Sequence, residues 1–204
     1  MGTTMAKKDI SQYNATWGIC GFTSALTHLY DSDTRLKGKI DNSSQETIRR
    51  GLLIEVVTFL KYVTAFRGDL INDLNKLNKD LSSPSMGGGV TAFITLAEDA
   101  IRKNVLIGNT NTYQCALTPE ALTLYLQKMC GFTGAKLTTG SDPGGQGILG
   151  LMNAKGDLLH WVYRAANGDV YNWGEVIPPS EWNTHEDGLG HPEFDHVGCH
   201  VSFG

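Results

Sequence analysis

Long apolar runs are missing from this sequence, as are paired cysteines, a surplus of one charge and any basic block. Each absence removes a class of protein. A helix that crosses a membrane needs about 20 consecutive apolar residues. The densest stretch, GLLIEVVTFLKYV, is broken by Glu55, Thr58 and Lys61, so no membrane span is expected. Lys and Arg number 17 against 21 Asp and Glu, a net charge of −4. No cluster of cations is available to neutralise phosphates, so no nucleic-acid partner is expected. The cysteines, Cys20, Cys115, Cys130 and Cys199, stand far apart with no Cys-x-x-Cys pair. That excludes a disulfide framework and a zinc ribbon. The opening MGTTMAKKDISQYN has two lysines but no apolar h-region. It reads as the start of a chain made in the cytoplasm without a signal peptide, any export using a leaderless route.

What is present falls into two textures, with no repeats. Up to Gly131 the apolar residues recur at helical spacing. A helix is expected over about 20–30, and a long one from Ser43 or Ser44 to about Phe66 carrying Ile48, Leu52, Val56, Phe59 and Val63 on one side. Others follow over about 68–80 and 90–103. LTPEALTLYLQKMCGF reads as a helix with Thr118 as N-cap, Pro119 in the first turn and Gly131 as stop. Past Gly131, ILGLMNA, LLHWVYR, DVYNWG and HVGCHVSFG read as strands joined by turns. The fold class is therefore α+β in one domain, with a helical half over about 12–131 and an antiparallel β half over about 132–204. GQGILG matches G-x-G-x-x-G, but glycines and Pro143 precede it and strand-like residues follow, so no nucleotide site is expected.

Cys115, Cys130 and Cys199 read as packing residues, since free cysteine is among the most buried residue types. Cys20 differs. In TWGICGFTSAL it falls at the start of a helix, where unpaired N–H groups and the helix dipole stabilise a thiolate. Gly18 and Gly21 beside it suit a close backbone approach to a substrate. A thiol nucleophile needs a base. His28 lies two turns along the same helix, and His185, His191, His196 and His200 belong to a polar C-terminal stretch. His160, early in the strand LLHWVYR, is the candidate.

The residue that orients His160 depends on hairpin register. If Asn167-Gly168 form a two-residue turn, paired positions sum to about 335 and His160 faces Glu175. If Ala166, Asn167 and Gly168 form a three-residue loop, the sum is about 334 and Asn172 becomes a diagonal neighbour of His160. The second register also sets Trp161 opposite Trp173 and Tyr163 opposite Tyr171, favourable aromatic pairs. Asn172 is favoured and Glu175 is the rival. A metal site in the tail HEDGLGHPEFDHVGCH, from His185, Glu186, His191, Asp195, His196 and Cys199, is disfavoured because Gly and Pro break the segment.

Three of these features resemble the papain-like cysteine peptidase superfamily. WGICGFTSAL is similar to its nucleophile segment, LLHWVYR to its histidine strand, and VYNWG to its strand in which Asn shortly precedes Trp-Gly. Residues 12–30 and 146–176 carry the resemblance, and bacterial effector proteases and bacteriocin-processing peptidases are the closer kind. It implies a papain-like fold, with Cys20 as nucleophile, His160 as general base and acid, and Asn172 or Glu175 as the orienting residue. The family often sets a Gln a few residues before the cysteine as an oxyanion donor. Here Asn14 lies six residues before it, with Gln12 two residues earlier. Trp173 would shield the partner of the histidine. The resemblance implies a monomeric hydrolase or acyltransferase of amide bonds, of the secreted-effector type, working on a protein, peptide or peptidoglycan substrate. A host protein is among the targets it allows. It calls for no cofactor and no metal. The alternative is the same fold serving as a binding protein without catalysis.

Overall fold

Ser44 opens the longest helix of the molecule: its hydroxyl accepts the Thr47 N–H at 3.2 Å, and the helix α4 (Gln45–Phe66) follows. Its buried stripe contains Ile48, Leu52, Val56, Phe59 and Val63, at the spacing that keeps side chains on one helical face. The structure, a computed structural model, describes residue 10 and residues 12–105 and 112–204; of residues 14–16 it describes the backbone alone. Among the described residues the helices before α4 are α1 (Gln12–Trp17), α2 (Cys20–Ser32) and α3 (Thr34–Asp41). Those after it are α5 (Ile71–Asp80), α6 (Gly89–Lys103) and α7 (Pro119–Lys128). Thr118 caps α7 through the Ala121 N–H, and Gly131 after it is left-handed at φ 82°, as the sequence predicts. No helix among the described residues is long and apolar enough to cross a membrane.

The strands are β1 (Lys136–Thr139), β2 (Gly147–Met152), β3 (Leu158–Arg164), β4 (Val170–Asn172), β5 (Glu175–Ile177) and β6 (His196–Ser202). They form an antiparallel sheet in the order β1-β6-β2-β3-β4-β5. Alternation sends Ile148, Trp161, Cys199 and Val201 into a core shared with α2, α4, α6 and α7. Leu149, Leu151, Val162, Val170 and Ile177 face the other way, into a smaller core closed by Phe194. Chain folding back in the connection between β5 and β6, residues 178–195, covers this second face.

Several elements differ from the sequence reading. DVYNWG is not one strand: β4 stops at Asn172, and Trp173-Gly174 turn the chain into β5, with Asn172 paired to Glu175. Both turn residues are left-handed, at φ 47° and 94°. They form a two-residue hairpin loop of the kind whose twist matches its strands. The short helices α1 and α3 and the strand β1 had no periodic signal. Lys136–Thr139 is polar and mostly exposed, and becomes a strand because β6 offers an edge.

An extended segment, residues 113–117, runs under the start of α2. Cys115 N–H donates to the Gly18 carbonyl at 3.2 Å. Asn78, wholly buried, clamps the same segment: its amide donates to the Ala116 carbonyl and its oxygen accepts the Ala116 N–H. Losing that side chain would orphan buried backbone groups, at about 1–3 kcal/mol for each one left unpaired.

Candidate active site

Cys20 is the first residue of α2. The segment at residues 113–117 explains why glycines flank it. A Cβ on Gly18 would lie 2.9 Å from Gln114 Cγ, and one on Gly21 would lie 3.2 Å from Leu117 Cδ1. Gly18 also has φ 63°. The close approach that Gly18 and Gly21 allow is here taken by the Gln114 and Leu117 side chains of the chain's own segment.

The early end of β4 shapes the other half of the site. In its register Tyr163 pairs with Tyr171 and Arg164 with Val170, which is the three-residue-loop register, with Gly168 left-handed at φ 89°. The Tyr163 and Tyr171 rings pack with centroids 5.6 Å apart, tilted by 34°. The expected Trp161–Trp173 pair does not form, because the chain turns at Trp173. The peptide groups of Trp161 on that side are left without a strand and are taken by α2. Ser24 Oγ donates to the Trp161 carbonyl at 3.3 Å, and the Trp161 N–H is directed at the Cys20 sulfur. The Trp161 ring goes to the helical side, its Nε1–H donating to the Leu117 carbonyl at 2.8 Å. Cys20 and the residue next to His160 are thus joined edge to edge.

His160 Nε2 lies 2.7 Å from Asn172 Oδ1, and both side chains are buried. Asn172 Nδ2 donates in turn to the Asp187 carbonyl at 2.7 Å. A carbonyl only accepts, so the amide nitrogen must face Asp187 and Oδ1 must face His160. Oδ1 also only accepts, so Nε2 carries the proton and Nδ1 of a neutral ring carries the lone pair. Trp173 lies over the imidazole at 4.8 Å between centroids and Phe194 lies parallel to it at 5.7 Å.

The other predicted residues separate. Glu175 begins β5, opposite Asn172 across the turn, and is exposed; it is not the hydrogen-bond partner of His160, because the three-residue loop won. Asn14 lies in α1, but its side chain is outside the described residues. Gln12, two residues earlier, reaches the site: its Cβ lies 3.2 Å from where a Gly174 Cβ would be. A side chain at position 174 would press on Gln12 and would strain the left-handed turn.

The electrostatics depart from the expected thiolate. Burial pushes the Cys20 thiol up to about 11, while the N–H groups of Trp161, Gly21 and Cys20 itself pull it down by less. Burial likewise pushes His160 down to about 4, against the raising effect of Asn172 and with a small further lowering from His191. The helix N-terminus is present, but desolvation of the buried Cys20 side chain outweighs it. At rest the Cys20 thiol and the His160 imidazole are both neutral.

The remaining cysteines behave as packing residues: Cys115 and Cys199 are buried, Cys130 is half-buried, and burial raises all three thiols to about 12. In the tail, His185 Nδ1 accepts the Asp187 N–H, His191 Nδ1 accepts the Glu193 N–H, and His196 pairs with Asp195 at 2.9 Å. Among the described residues no three His, Cys, Asp or Glu side chains gather as a metal would require. Sequence reasoning missed the Asp187 carbonyl and Phe194, whose roles come from backbone and ring contacts across distant segments. No family model matches the chain, and no curated protein and no solved structure matches it.

Proposed function

We propose that the protein is a cysteine-dependent hydrolase or acyltransferase of papain-like type, acting on amide or related acyl bonds. The observation that carries this reading is the buried hydrogen bond from His160 Nε2 to Asn172 Oδ1, beside a cysteine that opens a helix against the same strand. A packing histidine needs no partner whose own amide is fixed by a third group; a general base does.

In the proposed mechanism the substrate carbonyl enters next to the Cys20 sulfur. His160 Nδ1 takes the thiol proton as the sulfur bonds to the carbonyl carbon, and the carbonyl π electrons move onto oxygen. Transfer during attack suits a resting pair that is neutral. The Cys20 N–H and a side-chain amide from α1, Gln12 or Asn14, would hold the oxyanion; one such donor is worth roughly 100-fold or more in rate. Collapse breaks the carbon–nitrogen bond, and the leaving amine takes the proton from Nδ1. A thioester remains on Cys20. Water or another acceptor then adds to it, His160 takes the acceptor proton, and the thiolate leaves and is reprotonated. No cofactor is required.

The resemblance of the nucleophile, histidine and Asn-Trp-Gly segments to bacterial effector peptidases supports an effector role, with a protein, peptide or peptidoglycan substrate and action as a monomer. The test is labelling with a peptidyl epoxide, read by peptide mass spectrometry. A single adduct on Cys20, lost in His160→Ala, supports the reading. Incubation of the labelled and free protein with peptidoglycan sacculi and with unfolded protein then separates amidase from protease.

One observation favours a second reading, a binding protein on the same fold. Cys20 and His160 are each only 6% exposed, so the resting site is closed. A folded protein that forms no Cys20 adduct with any acyl or alkyl electrophile would be that protein.

A further inference from the structure

Resting on the reading above, we propose that Phe194 is a positioning residue for His160, and that the connection between β5 and β6 sets the tautomer and plane of the imidazole. Two contacts from this connection, seven residues apart in sequence, converge on the histidine.

The first is the Asp187 carbonyl, which fixes the Asn172 amide and through it the proton on Nε2. This carbonyl is held by a run of tight turns. Leu189 N–H donates to the Trp182 carbonyl at 2.9 Å and Gly188 N–H to the His185 carbonyl at 2.9 Å. Trp182 lies so close that a Cβ on Gly188 would meet its carbonyl oxygen at 2.5 Å.

The second is the Phe194 ring, which lies 5.7 Å from the imidazole with an interplanar angle of 1°. Its backbone is pinned on both sides. Phe194 N–H donates to the His191 carbonyl at 3.0 Å, and Asp195 N–H donates to the Met152 carbonyl at the end of β2 at 2.8 Å. With Trp173 tilted by 30° over the ring as well, the imidazole is shut from water by two aromatic groups. An imidazole gripped in this way keeps Nδ1 aimed in one direction, while one in water rotates and exchanges tautomers.

The groups that face His160 are few. Asn172 comes from β4, and His191 comes from the connection itself, 4.8 Å from Phe194 between ring centroids. His191 is half-buried and its Nδ1 is occupied by the Glu193 N–H. Because His191 also acts on the titration of His160 and packs on Phe194, the His191→Gln variant is carried alongside, so that a shift on altering Phe194 is read without that neighbour.

The test is long-range nitrogen–proton NMR of the histidine rings in uniformly labelled protein, with His160 assigned by its loss in His160→Gln. The wild type should show the Nε2–H tautomer at pH 7 and a titration well below the ordinary range. Phe194→Ala should give a mixture of tautomers and raise the titration by about one unit or more. Phe194→Leu, which keeps apolar volume without a flat ring, should move both in the same direction by less. Its smaller cavity keeps the test available if the alanine variant does not fold. Signals of His28, stacked on Phe203 at 3.6 Å, report that the fold is intact. An unchanged tautomer and titration in a folded Phe194 variant would overturn the proposal. The spectra read the resting ring without turnover, so they stand or fall apart from whether Cys20 accepts an acyl group.

Discussion

His160 and Asn172 meet across a strand end, 2.7 Å apart, twelve residues apart in sequence and joined by a three-residue loop. The relationship depends on register. Shifting the hairpin by one residue would turn Asn172 to the other face, and Glu175 would come opposite the histidine only if the Trp173-Gly174 turn opened as well. Asn172→Ala should therefore slow acylation of Cys20 by about 100-fold, within the usual range for a positioned base. The loss should stay below the ~10⁴ seen when an ionised orienting residue of a Ser-His-Asp triad is replaced. Glu175→Ala should leave the rate within about twofold, because an exposed carboxylate across the turn touches neither reacting group. The reverse order of effects would mean that the hairpin in solution has the other register. Single-turnover rates on both variants decide it.

Trp173 holds a left-handed backbone, φ 47°, in a turn position where Asn is ordinarily preferred. Such a bulky residue costs on the order of 1 kcal/mol there. Its ring lies on His160, which gives the strain a use. Trp173→Asn should keep the hairpin and shift the thermal midpoint little, while acylation falls at least about tenfold as the imidazole is opened to water. A drop in stability with no loss of rate would make Trp173 a packing residue only.

Three buried histidines, His28, His160 and His200, give the fold a pH dependence, since burial lowers each of them. Burial lowers both His160 and His28 to about 4, from 6.5 for the free side chain. A group whose folded value is depressed takes up protons more readily when unfolded. The unfolded chain therefore gains as pH falls from 6.5 towards 4, and stability is lost across that window and is level above it. For His160, at 6% exposure, the loss is on the order of 3 kcal/mol. Urea unfolding at pH 7.5 and 4.5 measures it. His160→Gln should flatten part of the slope, and equal stability at the two pH values would mean that these rings already reach solvent in the native state.

Much of this arrangement was legible in the sequence because it is local. Ser44 and Thr118 announce their helices by caps, and Ile48, Leu52, Val56, Phe59 and Val63 by period. The alternatives for His160 followed from counting across Asn167-Gly168, and the pairing of Tyr163 with Tyr171 matches the aromatic preference that favoured one register. What was not legible is what distant segments supply. Nothing near Cys20 reveals that residues 113–117 pass beneath Gly18 and Gly21, or that this burial outweighs the helix dipole at the sulfur. Trp-Gly after Asn172 reads as more strand until β5 is seen to pair back. The Asp187 carbonyl is a backbone group, and sequence carries no sign of where such a group will point.

The central claim is that Cys20 accepts an acyl group with His160 as its base. Its most direct measurement is the pre-steady-state reaction with p-nitrophenyl acetate, with the acetylated residue located by peptide mass spectrometry. The account predicts a burst of about one nitrophenolate per chain and an acetyl thioester on Cys20. The burst should disappear in Cys20→Ala and His160→Ala and persist in Cys130→Ala, although Cys130 is the more exposed thiol. Acetyl found on Cys130 instead, or a Cys20 acylation rate unchanged by the loss of His160, would contradict it.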